Sequence, residues 1–592
     1  MVTMSSRRTV LSADLKERHV NMMAFSACIG FGLFLNSGKA IYIAGPGLAI
    51  VAMVLACSVM WAVVACLGEM TALFPVQGPL FEFPGRFLDE AVGYATGWIT
   101  WFAWVVILAA EILAVAQLWK FRFEPEYLKS VGYPETQLGW STEGYSPAVW
   151  VFLFLVLIGL INMLPVRLYG QIEYVFGVVK IVFISLLIVF NVILSAIQRV
   201  HHDSHFWTWE RPWGFASDSM IVHPSHDTDP GIVLRGDVGH FLALWTATVT
   251  TLFSFVGFET IAITAPENKD LEKHETIKLA TKKLTMRITI LYILGTFVGG
   301  LNVPYDDVNL VNIQINSVRA GHNSVFVLAA VRNHLRYWPS IFNGFFIFSA
   351  TTSGINALYN SSRLLHALAS IPEAWPLWFQ NSRRRLERTT DRGVPLGTVF
   401  VSWCCGLMSF LAIKPFPSVV LGRITNNAVV SELICYSVIC LSYIQFYHKI
   451  KDAANDHTLE NRNAFNRDDK QYPYRTHGQL FRAYYGFLFC LLLIAFNNWR
   501  AFVDPFSMPD FIASYIGILA FFTLIAAYHV KSDGWNPLEW RRNASMQINR
   551  PPPRVVVPGR RRGHLDFPNP KAPIWEPENA KALIAFSWGW LK

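Results

Sequence analysis

Apolar runs of about twenty residues recur almost from one end of the chain to the other, separated by short polar stretches. A helix rises about 1.5 Å per residue, so about 20 apolar residues cross the roughly 30 Å hydrocarbon core of a bilayer. On that measure the pattern predicts twelve transmembrane helices, at 20–43, 46–67, 94–119, 147–166, 171–196, 239–264, 284–303, 339–362, 394–413, 425–447, 481–499 and 508–530. The apolar segment 324–331 is too short to span and reads as a short helix in an outer loop. A polar tail over 1–19 precedes the spans, and a Pro- and Arg-containing tail over 531–592 follows them. The second tail reads as largely disordered and able to touch anionic lipid, through Arg560, Arg561 and Arg562. The first twenty residues are polar and carry no signal-peptide pattern.

Two of the spans carry an interruption. The first contains Ile29-Gly30-Phe31-Gly32, and the sixth contains Ser254-Phe255-Val256-Gly257. Non-helical backbone within a bilayer is tolerated only where it is buried in protein or lines a cavity. Spans one and six are the corresponding members of two five-span halves, and paired interruptions of that kind point to a substrate site. A half-helix N-terminus presents N–H groups to a carboxylate, and the opposing C-terminus presents carbonyls to an ammonium. The eight residues are therefore the candidate substrate-binding set, for a small zwitterion. The competing explanation is that Gly30 and Gly32 serve only close helix packing.

Composition agrees with the pattern. The 592 residues are 53% hydrophobic and 15% charged, against about 25% charged in soluble domains. The net charge of +9 is no nucleic-acid signature, because the basic residues concentrate in alternate connections. By the positive-inside rule that places both tails in the cytoplasm. All eight cysteines lie in apolar segments without metal spacing and read as small buried hydrophobes. The histidines at 201, 202, 205, 223 and 226 in the long loop 197–238 are scattered among Pro and Gly and read as solvated rather than metal-binding. No metal motif, nucleophile elbow or phosphate loop appears, so an enzyme is not expected.

Three ionisable residues inside spans stand out. Lys180 falls near the middle of span five, where a charged lysine costs at least ~2.5 kcal/mol. It is either a proton carrier or a lysine held by carbonyls as structural glue. Glu259 sits beside the break in span six, and Glu111 lies in the outer half of span three. Either carboxyl suits a proton path or a structural role. Glu173 and Lys39 lie near predicted span ends, where snorkelling accounts for them.

The order of motifs resembles the yeast amino-acid transporter family, within the amino acid–polyamine–organocation superfamily. Ile29 to Phe34, Ser37-Gly38-Lys39-Ala40 and Ala44-Gly45-Pro46 are similar to its opening. Leu67-Gly68-Glu69-Met70-Thr71, Gly93-Tyr94-Ala95-Thr96-Gly97-Trp98, Phe253 to Glu259, Leu358-Tyr359-Asn360-Ser361-Ser362-Arg363 and Tyr472-Pro473-Tyr474-Arg475 continue the likeness in order. The resemblance covers about 20–530 and implies an all-α membrane protein. Its implied form is a five-plus-five inverted repeat, with broken helices 1 and 6 and two extra helices, working by alternating access.

It further implies that backbone of span one meets the substrate carboxylate and that carbonyls of spans one and six meet its amino group. Phe255 then covers the site, Lys180 takes the place of a sodium ion, and Glu111 and Glu259 match acidic positions of the family. The implied activity is amino-acid import by proton symport across the plasma membrane, with the proton gradient as energy source and no cofactor. A carrier of another amine or polyamine, or a permease-like sensor, are the alternatives. The chain departs from the family pattern at Phe31, where a small hydroxyl residue is usual. It departs again at Ala265-Pro266-Glu267-Asn268-Lys269 and at Gly354-Ile355-Asn356-Ala357.

Overall fold

The computed structural model describes residues 14–540 apart from 198–219, 222–232, 235, 269–275, 306, 308, 311–323, 373–374, 413–416, 456–461, 470–471, 473, 476–477, 504–505 and 538–539. Most of the N-terminal tail, the five loop histidines and the arginine cluster of the C-terminal tail lie outside the described residues.

The chain is predominantly helical. In order come α1 Glu17–Cys28, α2 Gly32–Leu73, α3 Pro79–Phe87, α4 Glu90–Leu118, α5 Pro125–Ser130, α6 Pro147–Asn162 and α7 Val166–Ile197. The pair β1 Met220–Ile221 and β2 Val233–Leu234 is antiparallel. Then follow α8 Gly236–Leu252, α9 Thr260–Thr264, α10 Thr276–Asn302, α11 Val325–Arg332, α12 Trp338–Ala369 and α13 Gln380–Leu386. The last are α14 Leu396–Gly406, α15 Pro417–Asn455, α16 Arg462–Phe465, α17 Gln479–Ala495 and α18 Met508–Asp533.

Eight helical stretches among the described residues are long and apolar enough to cross a membrane, the first being Glu17–Leu73 with 57 residues. That stretch holds two legs. Gly45 leaves helical geometry at φ 73° and ψ 165°, and Pro46 follows without an N–H to continue the ladder. The turn falls where the hydropathy pattern separates the first two spans. The apolar helices α6 and α14 are shorter.

α12 is long but carries Ser349, Ser353, Asn356, Asn360, Ser361 and Ser362, all buried. Its polarity faces the protein interior, which explains why hydropathy alone ranks it low. The opposite arrangement occurs on α7, where Val175, Val179, Val182, Leu186 and Val189 are exposed. In water that surface would be unfavourable at about 25 cal/mol per Å². Against lipid tails it costs nothing.

The core sits where α1, α2, α8 and α9 meet α4, α7, α10, α12 and α15. α11 matches the short apolar helix expected in an outer loop, yet its residues Val325 to Val331 are fully buried against α2, α10 and α12. All eight cysteines are unpaired; six are buried, and Cys404 and Cys405 are partly exposed.

Candidate functional site

Both interrupted spans are interrupted in the structure. α1 stops at Cys28, Ile29 takes φ −95° and ψ 84°, and α2 starts only at Gly32. α8 stops at Leu252, tightens through a single turn over Phe253–Phe255, and α9 resumes at Thr260. Ile29, Phe31, Ser254, Phe255 and Val256 are all buried, as is the backbone between them.

The two breaks touch. Gly257 holds φ 119°, a conformation that L side chains rarely adopt, and a Cβ there would lie 2.9 Å from the Cys28 nitrogen. The Tyr292 hydroxyl of α10 sits between the Cys28 carbonyl at 2.9 Å and the Ser254 carbonyl at 2.7 Å, tying one break to the other.

A helix leaves its last four carbonyls without intrahelical partners. Burying one such carbonyl unpaired costs about 1–3 kcal/mol. Here side chains from other helices reach all four. Lys180 Nζ donates to the Ser26 carbonyl at 2.7 Å and the Ile29 carbonyl at 2.6 Å. Ser353 donates to Ala27 at 3.1 Å, and Ser349 donates to Ile29 at 2.9 Å. Tyr292 covers Cys28. The break is therefore a built feature, supported from α7, α10 and α12.

On the other side of the break the opposite charge is presented. The Phe31 N–H donates to Glu111 Oε2 at 3.3 Å. The N–H groups of Gly30, Gly32 and Leu33 have no acceptor among the described residues. A Cβ on Gly30 would overlap the Glu111 carboxylate, so glycine is required for the carboxylate to approach the backbone. The Phe31 ring packs on Phe253 with centroids 4.9 Å apart. Phe255 packs on Tyr292 at 5.0 Å.

Glu259 folds back so that Oε2 accepts the Gly257 N–H at 3.3 Å and the Tyr436 hydroxyl of α15 at 2.8 Å. The sequence reading of Glu173 as a snorkelling residue is corrected. Its side chain is fully buried and accepts from Asn356 Nδ2 at 2.7 Å. Helix α7 begins at Val166, so Glu173 lies two turns inside it, beyond reach of the helix end. Lys39 is only half-buried.

Sequence reasoning also passed over Tyr292, Ser349, Ser353 and Tyr436, and met Asn356 only as part of a departure from the family pattern. Ser349, Ser353 and Asn356 recur at i, i+4 and i+7, a polar stripe on one helical face that the spacing displays.

Two ion pairs close one end of the bundle. Glu267 accepts from Arg363 at 3.0 Å and from Tyr359 at 2.6 Å, with the guanidinium 3.8 Å over the Tyr359 ring. Leu15 N–H donates to the Glu267 carbonyl at 3.0 Å. Glu69 is held by Arg467, Tyr443 and Tyr472. At the other end Asp307 accepts from Arg332 at 2.8 Å and from Tyr127 at 3.0 Å.

Two broken helices meet at their breaks inside an apolar helical bundle. The sequence profile of the family described as amino acid permease matches residues 19–541. The chain belongs to that family and is an integral membrane protein. It is 30% identical over 523 residues to an uncharacterized amino-acid permease of Schizosaccharomyces pombe, covering 88% of this chain and 89% of the relative. It is 26% identical over 518 residues to a lysine/arginine permease of Candida albicans, covering 87% and 80%. It is 28% identical over 541 residues to a proline-specific permease of Emericella nidulans, covering 91% and 88%.

Proposed function

We propose that the chain imports amino acids by proton symport with alternating access. In this reading twelve helices cross the plasma membrane, the first ten form an inverted repeat of five plus five, and both tails are cytoplasmic. The observation that carries it is the break in the first span. N–H groups at Gly30, Gly32 and Leu33, without an acceptor among the described residues, lie within three peptides of the Ile29 carbonyl that Lys180 holds.

The substrate carboxylate takes those N–H groups at the start of α2, where the helix dipole favours an anion. Its ammonium takes carbonyl oxygens of the two breaks. Phe255 covers the bound molecule. The proton resides on Lys180. While protonated, the ammonium donates to both Ser26 and Ile29 and fixes the end of α1. Losing the proton weakens that hold and frees α1 to shift. Glu111 and Glu259 relay the proton. The Glu267–Arg363 and Asp307–Arg332 pairs stand at opposite ends as the contacts that open in turn.

The relatives' names divide between basic amino acids and proline, so they do not select a side chain. The test is a substrate panel with the purified protein in liposomes. Uptake of at least one amino acid, enhanced by an inward proton gradient, is expected. Uptake of a polyamine alone identifies an amine carrier, and binding without flux identifies a sensor.

A further inference from the structure

Six glutamates are buried among the described residues: Glu69, Glu111, Glu173, Glu259, Glu267 and Glu432. Five have donors. Glu69 and Glu267 face Arg467 and Arg363. Glu111 takes the Phe31 N–H, Glu173 takes Asn356, and Glu259 takes Tyr436 and the Gly257 N–H. Glu432 has none. Its side chain is fully buried, and both carboxyl oxygens lack a hydrogen-bond partner among the described residues.

Its position is defined by its neighbour on α15. Tyr436, one turn along the same helical face, donates to Glu259. Glu432 therefore lies on the face of α15 that meets the break in span six. α15 packs directly on the Phe253–Phe255 turn. Glu259 Oε1 and Ser254 Oγ are also without partners there. Four oxygens without partners among the described residues thus belong to side chains at the break in span six: both of Glu432, one of Glu259 and one of Ser254. Among the described residues no basic side chain is bonded to any of them.

Buried oxygens in such number need a donor, because an unpaired buried polar group costs about 1–3 kcal/mol and an unpaired ion several. An apolar substrate side chain supplies no donor. An ammonium supplies three and a guanidinium five, both of the sign that two carboxyls favour. We propose that Glu432, with Glu259 Oε1, is the subsite for the cationic side chain of the substrate, so that the protein selects α-amino acids ending in an ammonium or guanidinium. The main-chain groups of the substrate occupy the breaks, and its side chain points to α15. This inference rests on the transport reading above.

The test is uptake into liposomes by the purified full-length protein. Radiolabelled lysine and arginine are compared with leucine and proline, for wild type, Glu432→Gln and Glu432→Asp, with ligand-induced thermal shifts measured on the same samples. Wild type takes up lysine and arginine in preference to the neutral amino acids. In Glu432→Gln the KM for both rises at least about tenfold, the equivalent of about 1.4 kcal/mol of lost binding. Glu432→Asp, which keeps the charge with a shorter reach, recovers part of the loss and decides the matter should the glutamine variant not fold.

Uptake confined to leucine or proline overturns the inference while leaving transport standing. So does an unchanged KM in both variants, or a displaced pH profile with KM intact, which makes Glu432 a proton carrier instead. Absence of both flux and thermal shift for every compound overturns the transport reading, and this inference with it.

Discussion

Lys180 Nζ lies 2.6 Å from the carbonyl oxygen of Ile29, the last peptide before the first span breaks. The same ammonium reaches Ser26 at 2.7 Å, and Ser349 shares the Ile29 oxygen at 2.9 Å. One side chain in the middle of α7 thereby holds the end of α1. On the proposed reading the contact serves both explanations that the sequence leaves open, since a lysine that caps these carbonyls as a charged ammonium holds them more weakly once it has lost its proton. Lys180→Ala is expected to abolish gradient-driven accumulation while substrate binding falls far less. Counterflow at equal pH, beside uptake under a gradient, measures the two separately. An equal fall in both, with loss of folded protein, marks Lys180 as structural.

Tyr292 ties the breaks together, and Tyr292→Phe removes the hydroxyl between the Cys28 and Ser254 carbonyls while keeping the ring against Phe255. Leaving a buried carbonyl unpaired costs about 1–3 kcal/mol. Thermal unfolding in detergent should show a loss of that order, and transport should slow because the two breaks no longer move as a unit. Unchanged stability and rate would mean that the hydroxyl is dispensable.

Gly257 combines a φ of 119° with a contact to α1 in which a Cβ would lie 2.9 Å from the Cys28 nitrogen. Gly257→Ala therefore adds strain of about 1–3 kcal/mol and pushes the breaks apart. Loss of uptake with protein still present in the membrane is expected. Gly344, where a Cβ meets nothing within 4 Å, is the control: Gly344→Ala should transport as wild type does.

Arg363 is buried between Glu267 and the Tyr359 ring. Truncating one partner of a buried ion pair leaves the other charge uncompensated, at about 3–5 kcal/mol. Arg363→Ala should lower the thermal midpoint sharply, and Arg363→Ala with Glu267→Gln should recover part of the loss. Failure of the double variant to recover any stability would show that the pair is not the source of the cost.

Much of this arrangement was legible in the residues. Gly45-Pro46 marks the turn between the first two legs because proline lacks an N–H and glycine tolerates the positive φ. The glycines at 30, 32 and 257 mark the breaks, and a lysine in the middle of span five announces a partner. What was hidden depends on packing. α3, Pro79–Phe87, holds two prolines in nine residues and gives no apolar run of spanning length. Glu173 looked terminal because hydropathy starts the span at 171, whereas the helix starts at Val166. Glu432 stood in plain view within Val429-Val430-Ser431-Glu432-Leu433-Ile434. Its significance comes from the absence of a donor among the described residues, which only the fold reveals. The polar face of α12 was readable as a stripe, but not which carbonyls it would meet.

The central claim is that a proton moves with the amino acid through Lys180. The direct measurement is lumenal pH, read with a trapped fluorescent indicator in liposomes containing the purified protein, as the transported amino acid is added outside. The account predicts that the lumen acidifies on addition for wild type and stays constant for Lys180→Ala that still exchanges substrate. Substrate entry with no change of lumenal pH in wild type would contradict it.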